Sequence, residues 1–310
     1  MTDLALAHDD LRPLMFSIAY RMLGSVAEAE DVVQDAFLKM HRALEEGTEL
    51  DSPDAYATTV TTRLAIDTLR SARVRREEYV GPWLPEPLVP ERSPDPASRY
   101  ELEDSVSVAM LVLMESLSPV ERAVFILRET LGYDYAEIAA VVGQSEATCR
   151  QHFSRARKRL GAGPRFEASQ ERGDELAAAF LAAVQGGGLE DLEQLLADDV
   201  VFYGDGGGKA PAIRTPMHGA VAVARFLLGL VRRGGPAGVS LQPAHANGGP
   251  AALTIGPDGA LLGVLTIEVA DGRIVALHNQ INPDKLQHLG RVGDLNAMMR
   301  DGTTHARPHA

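Results

Sequence analysis

Tyr135-Ala-Glu-Ile-Ala-Ala-Val-Val142, then Gly143-Gln144, then a fresh start at Ser145: this stretch decides how the first half of the chain folds. The first eight residues read as a short apolar helix. Glycine permits the tight reversal that follows, and serine is a preferred helix-opening residue. Two helices joined by a tight glycine-containing turn form the helix-turn-helix pattern. On the second helix, Cys149, Phe153, Ala156 and Leu160 fall within about 60° of one another and make the buried stripe. Ala147, Thr148, Gln151, Ser154, Arg155 and Lys158 lie opposite. Small, hydroxylic, amide and cationic side chains on one exposed face suit base edges and phosphates in a major groove. Basic residues near the helix end also complement its dipole.

Just upstream, Ser118-Pro119-Val120-Glu121 places Ser at a cap, Pro at the first helical position and Glu within the first turn, a strong helix start. Residues 1 to 78 form an earlier helical segment. Leu11 to Leu23 is mostly apolar and stops at Gly24-Ser25. The next helix runs from about Ala27 to Leu44. Its Val32, Val33, Ala36, Phe37, Met40, Ala43 and Leu44 share an arc of about 140°, the core face. Asp31, Gln34, Asp35, His41 and Arg42 surround Leu38 on the other side. A leucine ringed by carboxylates and an amide has the character of a protein-contact face. Ser52-Pro53-Asp54 opens a third helix that runs to about Arg73. Arg63, Asp67, Arg70 and Arg73 make a charged ridge along it, suited to lie on nucleic-acid phosphates.

The chain has 310 residues and a net charge of −13, which argues against a simple basic nucleic-acid binder. The average conceals two basic islands. Tyr56 to Arg76 holds five Arg and one acid, and Ser145 to Gly161 holds five basic residues and one acid. Two islands in an acidic chain point to two separate anion contacts. The single cysteine, Cys149, allows no internal disulfide and fits a reducing compartment. No apolar run approaches the ~20 residues of a membrane span, and acidic Met1 to Asp10 has no signal-peptide character. A cytoplasmic protein without membrane contact is expected.

Between the helical segments lies a connector, residues 79 to 105. Tyr79-Val-Gly-Pro-Trp-Leu-Pro-Glu-Pro87 has three prolines and the only tryptophan. So much proline excludes helix. Trp83 and Leu84 are too apolar for a connector that stays in solvent, so docking on another part of the chain is expected.

The segment from 170 to 290 changes character. Helices are expected at Asp174 to Val184, Leu189 to Leu196 and Val221 to Val231. Strands are expected at Val200 to Tyr203, Val239 to Ala244, Ala251 to Ile255, Leu261 to Val269 and Ile274 to Asn279. Pro257-Asp-Gly259 and Ala270-Asp-Gly272 mark turns between antiparallel strands. Helices followed by strands give an α+β domain. Residues 291 to 310 form a tail whose last residues are expected to lack order.

Residues 1 to 162 resemble bacterial sigma factors of the extracytoplasmic-function type. Ala29-Glu-Asp-Val-Val-Gln-Asp-Ala-Phe-Leu38 is similar to the region-two helix that binds the clamp helices of RNA polymerase. That resemblance implies core-enzyme contacts for Asp31, Gln34, Asp35 and Leu38. Arg63-Leu-Ala-Ile-Asp-Thr-Leu-Arg70 is similar to the helix that engages the −10 element, which implies DNA contacts for Arg63, Asp67, Arg70 and Arg73. The family often has Trp at the place of Tyr56 and Asn at that of Arg63. Residues 106 to 162 resemble region four, so Thr148, Arg150, Gln151, Ser154, Arg155 and Lys158 would meet the −35 element. The C-terminal segment resembles the SnoaL-like branch of the cone-shaped fold of nuclear transport factor two, a curved sheet around an apolar pocket.

Trp83, Leu84, Pro85, Glu86 and Pro87, with Asp205, Gly206, Gly207, Gly208 and Lys209, and with Asn282, Pro283, Asp284, Lys285 and Leu286, look like the motifs of a SigJ-like group. In that group the fused domain is thought to replace a separate anti-sigma protein. The resemblance implies a regulatory interdomain set, with core RNA polymerase and promoter DNA as partners and no cofactor or metal. It also leaves room for a small-molecule ligand in the pocket. The Asp205–Lys209 glycines can in principle cradle an anion, though a plain turn is the commoner use. The competing readings are a SnoaL-type isomerase or cyclase, or a ligand-sensing domain, fused to a DNA-binding module. Asp205, His218, His278 and Asp284 are its acid–base candidates, and none sits in a diagnostic spacing.

Overall fold

The computed structural model describes residues 4–48, 50, 52–92, 106–161 and 170–298. The boundaries expected near 105 and 162–170, and the last tail residues, lie outside the described residues. The chain divides into two compact units, Met1–Glu78 with Met110–Gly163, and Tyr79–Ala109 with Pro164–Ala310.

The first unit is all helical. Helices α1 (Leu4–Leu23), α2 (Val26–Glu45) and α3 (Pro53–Glu77) pack together. Ser25 and Ser52 cap α2 and α3, accepting from the backbone N–H groups of Glu28 and Ala55. Met15, Ile18, Met22, Val33, Ala36, Met40, Ala65 and Leu69 are buried, at the apolar positions that helical periodicity requires. Then come α4 (Val108–Met114), α5 (Pro119–Glu129), α6 (Tyr135–Val142) and α7 (Glu146–Leu160). Ser118 with Glu121 and Asp134 with Glu137 form two capping boxes. Gly143 ends α6 at φ 67°, a left-handed cap that other residues adopt only with strain. Val124, Leu127, Ile138, Val141 and Cys149 close a small core beneath the turn.

The second unit carries α8 (Gln170–Gly186), α9 (Leu189–Leu195), β1 (Leu196–Asp205), β2 (Met217–His218), α10 (Ala220–Gly234) and β3–β6 (Ser240–Ala246, Gly249–Ile255, Leu261–Ala270, Arg273–Gln280). The strand order is β2-β1-β6-β5-β4-β3. The strands β3 to β6 form the expected antiparallel run, and β1, whose pairing the sequence left open, joins β6 in parallel. The β3–β6 meander returns after α10, so its last strand meets β1 in the same direction. β2, which sequence reading missed, is only two residues long. Phe180, Leu181, Val184, Phe202, Leu227, Leu228, Leu265, Ile267 and Leu277 fill the space between helices and sheet. The other face of the sheet carries Leu253, Ile255, Leu261 and Val264, packed with Val89 of the connector and with Leu286 and Leu289. Helices packed on one face of a single sheet make this unit an α+β domain. Among the described residues, no helix is long and apolar enough to cross a membrane.

Candidate functional site

The connector is where the second unit is least ordinary. Leu84 to Val89 are six consecutive buried residues with no regular secondary structure. A buried irregular segment leaves backbone polar groups to be satisfied. Proline at 85 and 87 removes two N–H donors outright. Side chains of the sheet domain serve several of the rest. Leu84 N–H donates to Asp205 Oδ2 at 2.8 Å, and Leu88 N–H to Asn247 Oδ1 at 3.0 Å. Gln280 Nε2 donates to the carbonyls of Leu84 and Pro85, both at 3.3 Å. His288 Nε2 donates to Pro87 O at 2.8 Å.

Asp205, at the end of β1, is fully buried. Its Oδ1 accepts from Tyr79 OH at 2.6 Å and from Gly207 N–H at 3.1 Å. Its Oδ2 accepts from Leu84 N–H, from Gln280 Nε2 at 3.2 Å and from Lys285 Nζ at 2.7 Å. Lys285 also donates to Leu84 O at 2.6 Å, and its ammonium lies 4.1 Å from the Trp83 ring centre and 4.7 Å from that of Tyr79. Two ring faces, a carboxylate and a carbonyl are a complete environment for a buried ammonium. Burial, reinforced by Asp205, pushes the Tyr79 phenol above its usual range, so it remains a donor. Asn282 Nδ2 donates to Tyr79 OH at 2.8 Å. A Cβ on Gly207 would lie 2.2 Å from Asn282 Nδ2 and 2.8 Å from Tyr79 OH, so the position must be glycine.

The three expected motifs therefore meet within one unit. Trp83 is half-buried, and Leu84, Pro85, Glu86 and Pro87 are buried. Asp205, Asn282, Lys285 and Leu286 are buried, while Pro283 packs beside them in a short 3-10 turn. Gly206, Gly207 and Gly208 form a turn that uses its own N–H groups. Gly207 N–H goes to Asp205, and those of Lys209 and Ala210 go to Gly206 O. Those three N–H groups are engaged within the turn and are not offered to an anion. Lys209 pairs with Asp284 at the surface. Tyr79, Gln280, Asn247 and His288 belong to this clasp too. Tyr79 stood in the proline-rich stretch. Gln280 and His288 carry no sequence signal, and Asn247 shows one only as a turn residue at φ 54°.

The acid–base candidates do not converge. Asp205 is saturated with donors, His218 is exposed on β2, and Asp284 is tied to Lys209. His278 is buried, stacked on Tyr203 at 5.0 Å, and burial lowers its pKa to about 4. Thr266 is its cross-strand partner. Glu268, on the same strand, accepts from Ala109 N–H at 3.1 Å, and burial raises its pKa to about 7. A cavity of about 550 Å³ lies beside the clasp, lined in part by Lys209, Pro283, Gln287, Asp294 and Asn296.

In the first unit, Asp31, Gln34, Asp35 and Leu38 are all exposed on α2, Leu38 by 47%. On α3, Asp67 and Arg70 are exposed and pair with each other at 2.8 Å. Arg63 donates to Val141 O at 2.8 Å and to Ala140 O at 2.9 Å, and Arg73 to Glu115 O at 3.1 Å. On α7, Gln151, Ser154, Arg155 and Lys158 are exposed and lie together on one face. Thr148 is half-buried and hydrogen-bonds Ser145. Arg150 sits to the side, paired with Glu146 and 4.9 Å from the Tyr135 ring centre.

Residues 8–75 match the Sigma-70 region 2 family and residues 107–160 match Sigma-70, region 4. Fold and site thus define the class, an RNA polymerase sigma factor. ECF RNA polymerase sigma factor SigJ of Mycobacterium tuberculosis is 40% identical over 286 residues, 89% of this chain and 90% of that protein. Probable ECF RNA polymerase sigma factor SigI of the same organism is 32% identical over 284 residues, 90% and 93% of the two chains. The crystal structure of SigJ matches with a TM-score of 0.74 at 36% identity, covering 92% of this chain and 99% of that one. The chain belongs to the ECF RNA polymerase sigma factors, in the SigJ-like group. It directs promoter-specific transcription initiation with core RNA polymerase and is not an enzyme.

Proposed function

We propose that the C-terminal domain regulates this sigma factor in cis, through the clasp on the connector between its two sigma regions. The observation that carries the reading is the Asp205 carboxylate, which gathers Tyr79, Leu84, Gly207, Gln280 and Lys285. A clasp of this kind sets which conformations the connector can take, and so which separations regions two and four can reach. Trp83–Pro87, Asp205–Lys209 and Asn282–Leu286 are its working parts. Asp31, Gln34, Asp35 and Leu38 bind core polymerase in this reading. Arg63, Asp67, Arg70 and Arg73 meet the −10 element, and Thr148, Arg150, Gln151, Ser154, Arg155 and Lys158 the −35 element. The protein works in the cytoplasm, without a separate anti-sigma protein. The domain limits of this reading are 1–78, 79–105, 106–162, 170–290 and 291–310.

Run-off transcription with core enzyme on a cognate promoter tests it. Lys285→Met and Asp205→Asn are each expected to change transcript yield about fivefold or more while core binding persists. Wild-type yields from both variants would refute cis control through the clasp. The cavity beside Lys209 favours a second role, a small-molecule effector that acts on the clasp from its surface side. Saturation of a ligand effect on transcription, lost on Asn296→Trp, is the check.

A further inference from the structure

We propose that α10, in the C-terminal domain, is a DNA-contacting element in its own right, which holds the phosphate backbone of promoter DNA without reading its sequence.

The signal begins in the order of charges along the chain. From Gly206 to Pro257 there is no Asp or Glu, although the chain holds 43 acids among 310 residues. The same stretch carries Lys209, Arg214, Arg225, Arg232 and Arg233. A long run of one sign inside a chain of the opposite sign marks a surface that receives anions.

Three of these arginines stand on α10. Its Val223, Ala224, Leu227 and Leu228 are buried in the core shared with the sheet. At 100° per residue, Val221, Ala222, Arg225, Gly229, Arg232 and Arg233 share an arc of about 120° on the other side. All of them but the half-buried Gly229 are exposed. Among the described residues, no carboxylate pairs with Arg225, Arg232 or Arg233, and no carbonyl accepts from them. Glu190, Asp191 and Glu193 on neighbouring α9 leave all three alone. Arg232 and Arg233 lie in the last turn, where cations favour the helix dipole. That does not account for Arg225, and neither terminal arginine bonds the final carbonyls. Gly229 weakens the helix it sits in. A Cβ there would meet nothing within 4 Å, so its own domain does not require glycine. Ala222 and Gly229 instead keep the surface between the arginines low, which lets a partner come close.

The side chains decide the kind of partner. α10 has no hydroxyl, amide or carboxylate side chain, so the groups that complement arginine in reading base edges are missing. Arginines alone suit phosphate oxygens, which position a protein without specifying sequence. From Arg225 to Arg233 the helix advances about 12 Å, over which one DNA strand carries roughly three phosphates. Promoter DNA is the polyanion to which a sigma factor is brought.

The salt dependence of promoter binding, by the full-length factor in complex with core polymerase, tests the contact. Arg225→Gln is expected to lower the slope of log affinity against log salt by about one. The triple variant with Arg232→Gln and Arg233→Gln should lower it by about three. Arg172→Gln removes another exposed cation of the domain, one that pairs with Glu175, and should leave the slope unchanged. The effects of base substitutions in the −10 and −35 elements should stay as in the wild type. An unchanged slope in the triple variant overturns the proposal. An equal drop with Arg172→Gln also overturns it, since net charge would then be the cause. So does weaker core binding at an unchanged slope, because the face would then meet an acidic protein. A second readout replaces no arginine. Ala222→Cys lies on the same exposed face, and with native Cys149 buried it can carry a tethered iron chelate that generates hydroxyl radicals. Strand cleavage of promoter DNA in the polymerase complex is expected, and its absence overturns the proposal.

Discussion

Lys285 and Asp205 are a buried pair whose members would be left in different company by substitution. Asp205→Asn takes the carboxylate from a buried ammonium that also meets the Leu84 carbonyl and two aromatic rings, and it turns an amide NH2 toward groups that donate. The cost should be about 3–5 kcal/mol of the second unit's stability. Lys285→Met leaves a carboxylate with four remaining donors and a thioether between Trp83 and Tyr79, so about 1–2 kcal/mol is expected. Urea unfolding followed by Trp83 emission measures both, and equal losses would contradict the asymmetry. Glu268 predicts a pH effect. Its folded pKa of about 7 stands above the ordinary 4.5. A group raised on folding stabilises fully below the unfolded value and loses that contribution as pH rises through the folded one. Glu268→Gln should therefore stabilise the second unit by up to about 3 kcal/mol above pH 7 and by little below pH 5. Urea midpoints at pH 5 and pH 8 read the difference. Neither role was legible in the sequence. Asp205 belonged to a recognisable motif, but its burial depends on which strand lies beside β1. Glu268 showed only as an acid in an apolar strand.

Elements were far more legible than contacts. Caps and breakers act within a few residues, so Ser118-Pro119-Val120-Glu121 and Tyr135–Val142 gave α5 and α6 directly. The antiparallel run β3–β6 was legible from its turn residues, whereas the parallel β1–β6 pairing joins strands far apart in sequence with no turn signal between them. The helix-turn-helix lends itself to two tests. Nothing lies within 4 Å of a Cβ built on Gly143, so Gly143→Ala is costly through its left-handed backbone alone. About 1–2 kcal/mol should be lost from region four, measured by chemical denaturation. On α7, Arg155 and Lys158 are exposed, whereas Arg150 is held by Glu146 and Tyr135. Lys158→Ala in the polymerase-bound factor should lower the salt dependence of promoter binding by about one counterion, and Arg150→Ala by less. Equal slopes for the two variants would mean that Arg150 leaves its intramolecular partners on DNA.

Chain order and spatial grouping part company at the scale of the whole molecule. The polypeptide leaves the sigma unit at Glu78, joins the C-terminal unit through the connector, and re-enters the sigma unit at Met110. The sequence separated these segments by composition, since proline, glycine and charge change at their borders. It left open what covers the connector, because Leu84, Leu88 and Val89 have no apolar partners nearby in sequence. Val89 is covered by Val264, Leu286 and Leu289, while Asp205 and Gln280 bond the backbone of Leu84, Asn247 that of Leu88 and His288 that of Pro87. Deleting residues 170–310 would thus do more than remove a regulator. It would expose an apolar, proline-locked segment that has no helix or sheet of its own to retreat into. Trp83 is the only tryptophan, and its ring would lose the Lys285 ammonium at 4.1 Å. A chain ending at Ser169 should show red-shifted Trp83 emission, easier quenching by acrylamide and a greater tendency to associate. Full-length Lys285→Met should change emission without that gain in quenching, because the apolar cover remains. If the truncated chain keeps the emission and quenching of the full one, Trp83 is covered by something other than the C-terminal domain, and transcription changes on truncation could not be assigned to the clasp.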